Sequence, residues 1–222
     1  MNKTLAPRAV GRLHVITDES LQDRWTHLQL ALLAADGGAD TVQYREKRPR
    51  STAEHEHAVR EIRRALPLGV HLIVDDHVAA AHIAGADGVH LGRTDMAPDA
   101  ARRLLGARCL IGGTANSLVE ARRGFAEPLD YLGVGPVFGT RSKTDPAPAL
   151  GVEGFAAIAR EAPIPVIAIG GITPDAIEVL IEAGAWGVAV LSGIVCAADP
   201  AGATALYRAA LDRALQRGHV RT

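Results

Sequence analysis

The sequence predicts an α/β chain folded as a single (β/α)8 TIM barrel, and three observations carry that expectation. Short apolar runs alternate with helical stretches about eight times along 222 residues, at roughly 25 residues per unit. Gly38-Ala39-Asp40, Gly85-Ala86-Asp87 and Gly184-Ala185-Trp186 recur at corresponding corners, each between a helical stretch and the next apolar run. Polar or glycine-rich residues follow nearly every apolar run. A doubly wound open sheet is the competing arrangement. Eight units, with no Gly-x-Gly-x-x-Gly after the first strand, favour closure.

In chain order, Arg12–Thr17 reads as a strand ending at Asp18. A helix follows over Trp25–Asp36, with Leu28, Leu32 and Leu33 at helical spacing, and Gly37-Gly38 stops it. Thr41–Tyr44 is the second strand. Ser51 is placed to cap a helix carrying Ala58, Ile62 and Leu66, which ends near Pro67. Val70–Val74 is the third strand, then a helix through Ala79–Ala84 and the strand Gly88–Leu91. Pro98 suits the first turn of a helix to Leu105. Cys109–Ile111 is read as a strand stopping at Gly112-Gly113-Thr114. A helix around Ser117–Phe125 precedes the strand Tyr131–Val134. The remaining expectations are a helix over Gly154–Arg160, a strand over Pro165–Ile169, a helix capped by Thr173 and a strand over Gly187–Leu191. A terminal helix starts at Asp199 or Thr204, and residues 1–10 and 218–222 are expected to be poorly ordered. Strands this short and this rich in Val, Ile and Leu suit a parallel sheet covered on both faces.

Composition narrows the function classes. A 48% hydrophobic and 22% charged chain of net charge -1 gives no reason to expect nucleic acid or a membrane surface as partner. Cys109 and Cys196 are the two cysteines, without a Cys-x-x-Cys pair, so a disulfide framework or structural zinc is not expected and a reducing cytoplasm fits. No apolar run has the length of a membrane span, and residues 1–10 lack the apolar core of a secretory signal.

In a barrel every strand opens on one face, where active sites sit. The residues collected there include Asp18, Gln43, Arg45, Lys47, Asp75, Asp76, Asp95, Thr114, Thr140, Ser142, Lys143, Gly171, Leu191 and Ser192. The stretch Leu132–Asp145 runs from a strand through three glycines into hydroxyls and cations, which can donate to an anion. Gly170-Gly171, with the Leu191-Ser192 amides, matches the phosphate site of many barrels; a plain strand-to-helix turn is the other reading. Arg45, Lys47 and Lys143 suggest a second, more highly charged anion. Asp76 and Asp95, each just past a strand, can hold Mg²⁺ together with substrate oxygens. The alternative is a set of solvent-facing ion pairs in which Arg45 or Lys47 neutralises Asp75. Glu54-His55-Glu56-His57 reads as a solvated helix face. His14 and His90 read as core or supporting groups, His77 stays a candidate, and Cys196 is placed to line the mouth.

The sequence resembles the thiamin phosphate synthase family and its thiazole tautomerase relatives. The specific segments are Gln43-Tyr44-Arg45-Glu46-Lys47 and Gly135-Pro136-Val137-Phe138-Gly139-Thr140-Arg141-Ser142-Lys143. Leu13–Asp18, Gly85–Gly92 with Asp95, Ala168–Ile172 and Gly184–Ser192 also match, so the likeness spans nearly the whole chain. The resemblance implies an enzyme that joins hydroxymethylpyrimidine diphosphate to a thiazole phosphate, releasing diphosphate and thiamin monophosphate. It implies Mg²⁺ on Asp76 and Asp95, and diphosphate on Arg45, Lys47, Thr140, Ser142 and Lys143. Gln43 and Thr114 would lie by the pyrimidine; Gly171, Leu191 and Ser192 would bind the thiazole phosphate through their amides. Lys47, Lys143 and Arg45 would be catalytic through charge, and a homodimer is one implied assembly.

The chain departs from the family pattern at Asp75-Asp76-His77, where Asn-Asp-Arg is usual. Asp75 adds a negative charge beside the diphosphate unless it faces Mg²⁺ or Lys47, and Arg93 is placed to offset it. Thr114 keeps the hydroxyl of a commoner serine, and Asn116 replaces a common histidine. A thiazole tautomerase and a non-catalytic binder of a phosphorylated ligand are the competing functions.

Overall fold

The computed structural model describes residues 9–140, 142 and 146–220, the side chains of 218–220 excepted. Eight parallel strands close into one barrel in sequence order: β1 (Leu13–Thr17), β2 (Thr41–Tyr44), β3 (His71–Asp75), β4 (Gly88–Leu91), β5 (Leu110–Ala115), β6 (Tyr131–Val134), β7 (Val166–Ile169) and β8 (Gly187–Val190). The helices between them are α1 (His27–Asp36), α2 (Thr52–Ala65), α3 (Val78–Ala84), α4 (Pro98–Leu105), α5 (Leu118–Gly124), α6 (Gly151–Glu161) and α7 (Ile177–Glu182). After β8 come the short α8 (Ser192–Val195) and the terminal α9 (Pro200–Val220). The barrel fold read from the sequence is what the chain adopts.

Local chemistry explains the boundaries. Thr26 and Ser51 each close a capping box, with Gln29 and Glu54, so α1 and α2 begin where their first orphan amides find side-chain acceptors. Asp199 Oδ1 accepts the Gly202 amide at 3.0 Å and starts α9, which leaves Thr204 inside the helix with its hydroxyl on the Pro200 carbonyl. Thr173 does not cap with its side chain; a 3₁₀ turn, Pro174–Ala176, leads into α7 instead. The strand expected to stop at Gly112 continues to Ala115, because glycine here makes room. A Cβ on Gly112 would run into the Tyr131 ring inside the barrel.

The recurring corners have a physical basis. Asp40, Asp87 and Asp130 each precede an even-numbered strand and accept the amide of the odd-numbered strand before it. The pairs are Asp40 with Leu13 (2.8 Å), Asp87 with Leu72 (2.7 Å) and Asp130 with Ile111 (2.7 Å). An arginine from the helical layer meets each carboxylate: Arg208, Arg63 and Arg102. Charge-assisted hydrogen bonds contribute about 1.5–3 kcal/mol where water is excluded, as at Asp87, and less at the more exposed Asp40 and Asp130. They pin the bottom of the barrel, opposite the mouth.

Alternate residues of each strand build two cores. Val15, Val42, Leu72, Val74, Val89, Ile111, Leu132, Val166 and Val188 face the helices in one large apolar cluster. Ile16, Tyr131, Ile167 and Ala189 form a smaller cluster inside the barrel. The interior is not wholly apolar. His14 is buried there, its Nε2 3.1 Å from the Gly11 carbonyl and its ring 5.3 Å from Tyr131. No helix among the described residues is long and apolar enough to cross a membrane.

Candidate active site

The end of β2 alternates, as a strand must. Gln43, Arg45 and Lys47 face the barrel mouth, whereas Tyr44, Glu46 and Arg48 face the helical layer. Lys47 Nζ stands 2.7 Å from Asp75 Oδ2 and also contacts Asp76. Gln43 Nε2 donates to the other Asp75 oxygen at 2.9 Å, and Arg45 Nε lies 3.9 Å from Asp75 while its Nη1 pairs with Asp18. The extra carboxylate of Asp75 is therefore held by neighbours the chain itself supplies. Burial works against the Lys47 ammonium, but Asp75 and Asp76 outweigh it and raise its pKa above the ordinary value.

Asp76 follows β3 with a φ of 62°, a left-handed conformation uncommon for any residue but glycine. That turn brings its carboxylate against Asp95, whose Oδ2 accepts the Gly92 amide at 2.7 Å. Burial and then the neighbouring Asp76 raise the Asp95 pKa. Burial pushes Asp76 the same way, but Asp95 and Lys47 hydrogen bonds override it and hold Asp76 low. Two carboxylates sharing one small volume, one tending to keep its proton, are the donor set a hard divalent cation would neutralise.

A cavity of about 350 Å³ opens beneath these groups. Its floor is a hydrogen-bonded set: His90 Nε2 lies 2.8 Å from Thr114 Oγ1, and His90 Nδ1 lies 3.2 Å from the Tyr131 hydroxyl. Thr140 and Ser142 line one wall, where the Ser142 amide donates to Thr140 Oγ1 at 3.1 Å. Lys143 lies outside the described residues. The rim beside this loop, across the barrel from Lys47, carries Gly170, Gly171, Leu191 and Ser192. Gly171 has a φ of 66°, and a Cβ there would stand 2.9 Å from the Gly139 carbonyl, so the turn requires glycine. The mouth thus gathers Gln43, Arg45, Lys47, Asp75, Asp76, Asp95, Thr114, Thr140, Ser142, Gly171, Leu191 and Ser192, whereas Asp18, also named for it from the sequence, is fully buried against Arg45 and does not line the cavity.

Four other expectations fail. His55 is not on a solvated face; it is buried, with Nδ1 3.2 Å from the Tyr44 hydroxyl, and stacks on His77 at 3.6 Å between ring centroids. His77 is thereby held on the helical side and does not line the cavity. Arg93 reaches the cavity edge but pairs with Glu120 at 2.6 Å rather than offsetting Asp75. Cys196 is exposed beside the Leu21 carbonyl and does not line the mouth. Sequence reading also passed over Tyr131 and Glu46. The alternation of Tyr44-Arg45-Glu46-Lys47-Arg48 was the available signal for Glu46; Tyr131 gave none, because its depth in the barrel depends on Gly112.

Comparison with known proteins agrees with this geometry. The family model for thiamine monophosphate synthase matches residues 13–194. The thiamine-phosphate synthase of Salinibacter ruber is 46% identical over 95% of this chain and 93% of its own length, and that of Agrobacterium fabrum is 43% identical over 92% and 96%. Among solved structures, the thiamine phosphate pyrophosphorylase from Pyrococcus furiosus superposes with a TM-score of 0.82 at 33% identity. That match covers 92% of this chain and 96% of the other. The chain belongs to the thiamine monophosphate synthase family.

Proposed function

We propose that the chain is a thiamine-phosphate synthase. It would take hydroxymethylpyrimidine diphosphate and a thiazole phosphate and yield thiamin monophosphate and diphosphate. The observation that carries this reading is the division of one mouth into two unlike walls. Arg45, Lys47, Asp76 and Asp95 make a wall suited to a metal-bound diphosphate, and the Gly171–Leu191–Ser192 rim is backbone suited to a monophosphate.

Asp76 and Asp95 fit a Mg²⁺ ion by their donor chemistry and by the charge they share. Such an ion would neutralise negative charge that grows on the departing diphosphate. Lys47 and Arg45, with Lys143 and the Thr140 and Ser142 hydroxyls, would bind the same oxygens more strongly as charge develops than before. The bond that breaks joins the pyrimidine methylene to the diphosphate oxygen, which keeps the electron pair. The thiazole nitrogen then supplies the pair for the new carbon–nitrogen bond. No proton has to move for that exchange, which is consistent with a floor of hydrogen-bonded groups, half-buried His90 and Thr114 and buried Tyr131, rather than an exposed base. Gln43 and Thr114 would orient the pyrimidine ring.

The test is incubation of purified protein with both substrates and Mg²⁺. Diphosphate and thiamin monophosphate in equal amounts support the synthase. Proton exchange on the thiazole phosphate alone selects a tautomerase, and binding of both substrates without product selects a non-catalytic binder. We place the protein in the cytoplasm as a homodimer, an assembly that sedimentation equilibrium checks.

A further inference from the structure

Behind the mouth, on the outer face of β2, the structure assembles a second set of ligating side chains. Glu19, His27 and Glu46 each bring a donor atom within 4.8 Å of the others, the one such group of three among the described residues. Glu19 lies in the β1–α1 connection, His27 is the first residue of α1, and Glu46 follows β2.

His27 decides how the group is read. Its Nδ1 is 2.7 Å from Thr17 Oγ1, and that hydroxyl already donates its proton to the Gln43 carbonyl at 3.3 Å. In the tautomer where Nδ1 donates to Thr17, Nε2 is left as a lone pair, the form in which an imidazole ligates a metal. Nε2 is buried, has no hydrogen-bond partner, and stands 3.5 Å from Glu46 Oε2. His27 as a whole is 5% exposed, and the Glu46 side chain 2%. In that tautomer the lone pair faces a buried carboxylate, an arrangement that a cation between them relieves. The hydroxyl on Nδ1 is the outer partner that commonly orients a metal-ligating imidazole.

We propose that Glu19, His27 and Glu46 form a divalent-cation site distinct from the mouth, for a borderline transition ion of the Zn²⁺ or Mn²⁺ class. One imidazole nitrogen with two carboxylates matches the ligand preference of such ions better than that of Mg²⁺. Glu46 is available as an anion: burial opposes its ionisation, but hydrogen bonds from the Arg48 side chain and amide hold its pKa at about 2. Arg48 bridges Glu19 and Glu46, and Arg50 Nε lies 3.7 Å from Glu46. The Arg48 side chain is 40% exposed, and it is the group an entering ion displaces. A cavity of about 570 Å³ beside the three ligands, between α1 and α2, supplies the entry path and room for water ligands. Because Glu46 sits between Arg45 and Lys47, an ion here ties the mouth cations to α1.

The test is Zn²⁺ titration of chelator-stripped protein against a chromogenic competitor, in the D76N/D95N background to silence the mouth. We expect one bound Zn²⁺, affinity weakened at least about tenfold by His27→Gln and by Glu19→Gln, and affinity tightened by Arg48→Ala. If His27→Gln does not fold, Glu19→Gln carries the comparison, since that side chain is partly exposed. Absence of Zn²⁺ binding in the D76N/D95N chain overturns the proposal. So do His27→Gln and Glu19→Gln affinities equal to the parent, or weaker binding after Arg48→Ala.

Discussion

Lys47→Ala separates the two readings of the mouth. In one, the lysine only neutralises Asp75; in the other, it acts on the departing diphosphate. Its ammonium is 2.7 Å from Asp75 Oδ2 and touches Asp76, and its side chain is 39% exposed. The structural loss is therefore modest. A charge-assisted hydrogen bond is worth about 1.5–3 kcal/mol when dry, and partial exposure brings this to about 1 kcal/mol. Asp75 would keep Gln43 at 2.9 Å and Arg45 at 3.9 Å, so the fold should survive. The catalytic loss is larger. Removing one preorganised donor from developing anionic charge costs about 10²–10³ in turnover. The decisive assay is Mg²⁺-dependent diphosphate release for Lys47→Ala, Asp75→Asn and the double variant, with urea melts run in parallel. If Lys47 serves the leaving group, the double variant stays as slow as Lys47→Ala, although its stability recovers. Turnover restored by adding Asp75→Asn would refute the assignment and leave Lys47 as a local counter-ion.

Further predictions follow from the same contacts. His14 is buried, and burial, outweighing the Gly11 carbonyl bond that favours the charged ring, pushes its pKa down to about 4. Between that value and the unfolded pKa of about 6.5 the unfolded chain binds a proton that the folded chain refuses. Stability should be full above about pH 6.5 and fall by about 3 kcal/mol as pH drops toward 4; urea midpoints that stay level across this window contradict it, and His14→Gln should flatten the slope. Gly171→Ala, at a φ of 66° and 2.9 Å from the Gly139 carbonyl, should destabilise by about 1–3 kcal/mol and raise the KM for the thiazole phosphate more than that for the diphosphate substrate. Asp76→Asn keeps a side chain that tolerates the left-handed φ. It and Asp95→Asn should therefore fold normally and raise the Mg²⁺ concentration needed for half-maximal rate about tenfold or more, which a Mg²⁺ titration of the initial rate reads. Lys143→Ala should cripple turnover while the circular dichroism spectrum is unchanged; wild-type turnover would remove that loop from the site.

The barrel was legible because its signals are local and repeated. Apolar runs of strand length, Ser51 followed by Glu54, and the Gly-Ala-Asp corners are all visible within a few residues. The corners carry more than helix stops, since Asp40 and Asp87 each tie a strand to its predecessor, a contact across 27 and 15 residues respectively. The mouth was legible for the same reason: a parallel barrel delivers every strand end to one face, so Gln43, Asp76 and Thr114 could be pooled without knowing their distances. Side-chain direction past a strand end was not. His55 reads as a surface group and His77 as a candidate for the mouth, yet the two meet beside Tyr44 because α2 and α3 pack side by side. Arg93 looked free to reach Asp75, but α5 offers it Glu120 at shorter range. Asp75 itself was ambiguous in sequence; only the folded geometry places Lys47, Gln43 and Arg45 around it.

The claim on which the rest depends is that the mouth holds two different anions in two places. A crystal structure of the protein with Mg²⁺, diphosphate and the thiazole phosphate measures that directly. Diphosphate is expected against Arg45, Lys47, Thr140 and Ser142, metal density between it and Asp76 and Asp95, and the thiazole phosphate on the amides of Gly171, Leu191 and Ser192. Diphosphate density confined to the Gly171–Ser192 rim, with Lys47 still closed on Asp75, would contradict that claim.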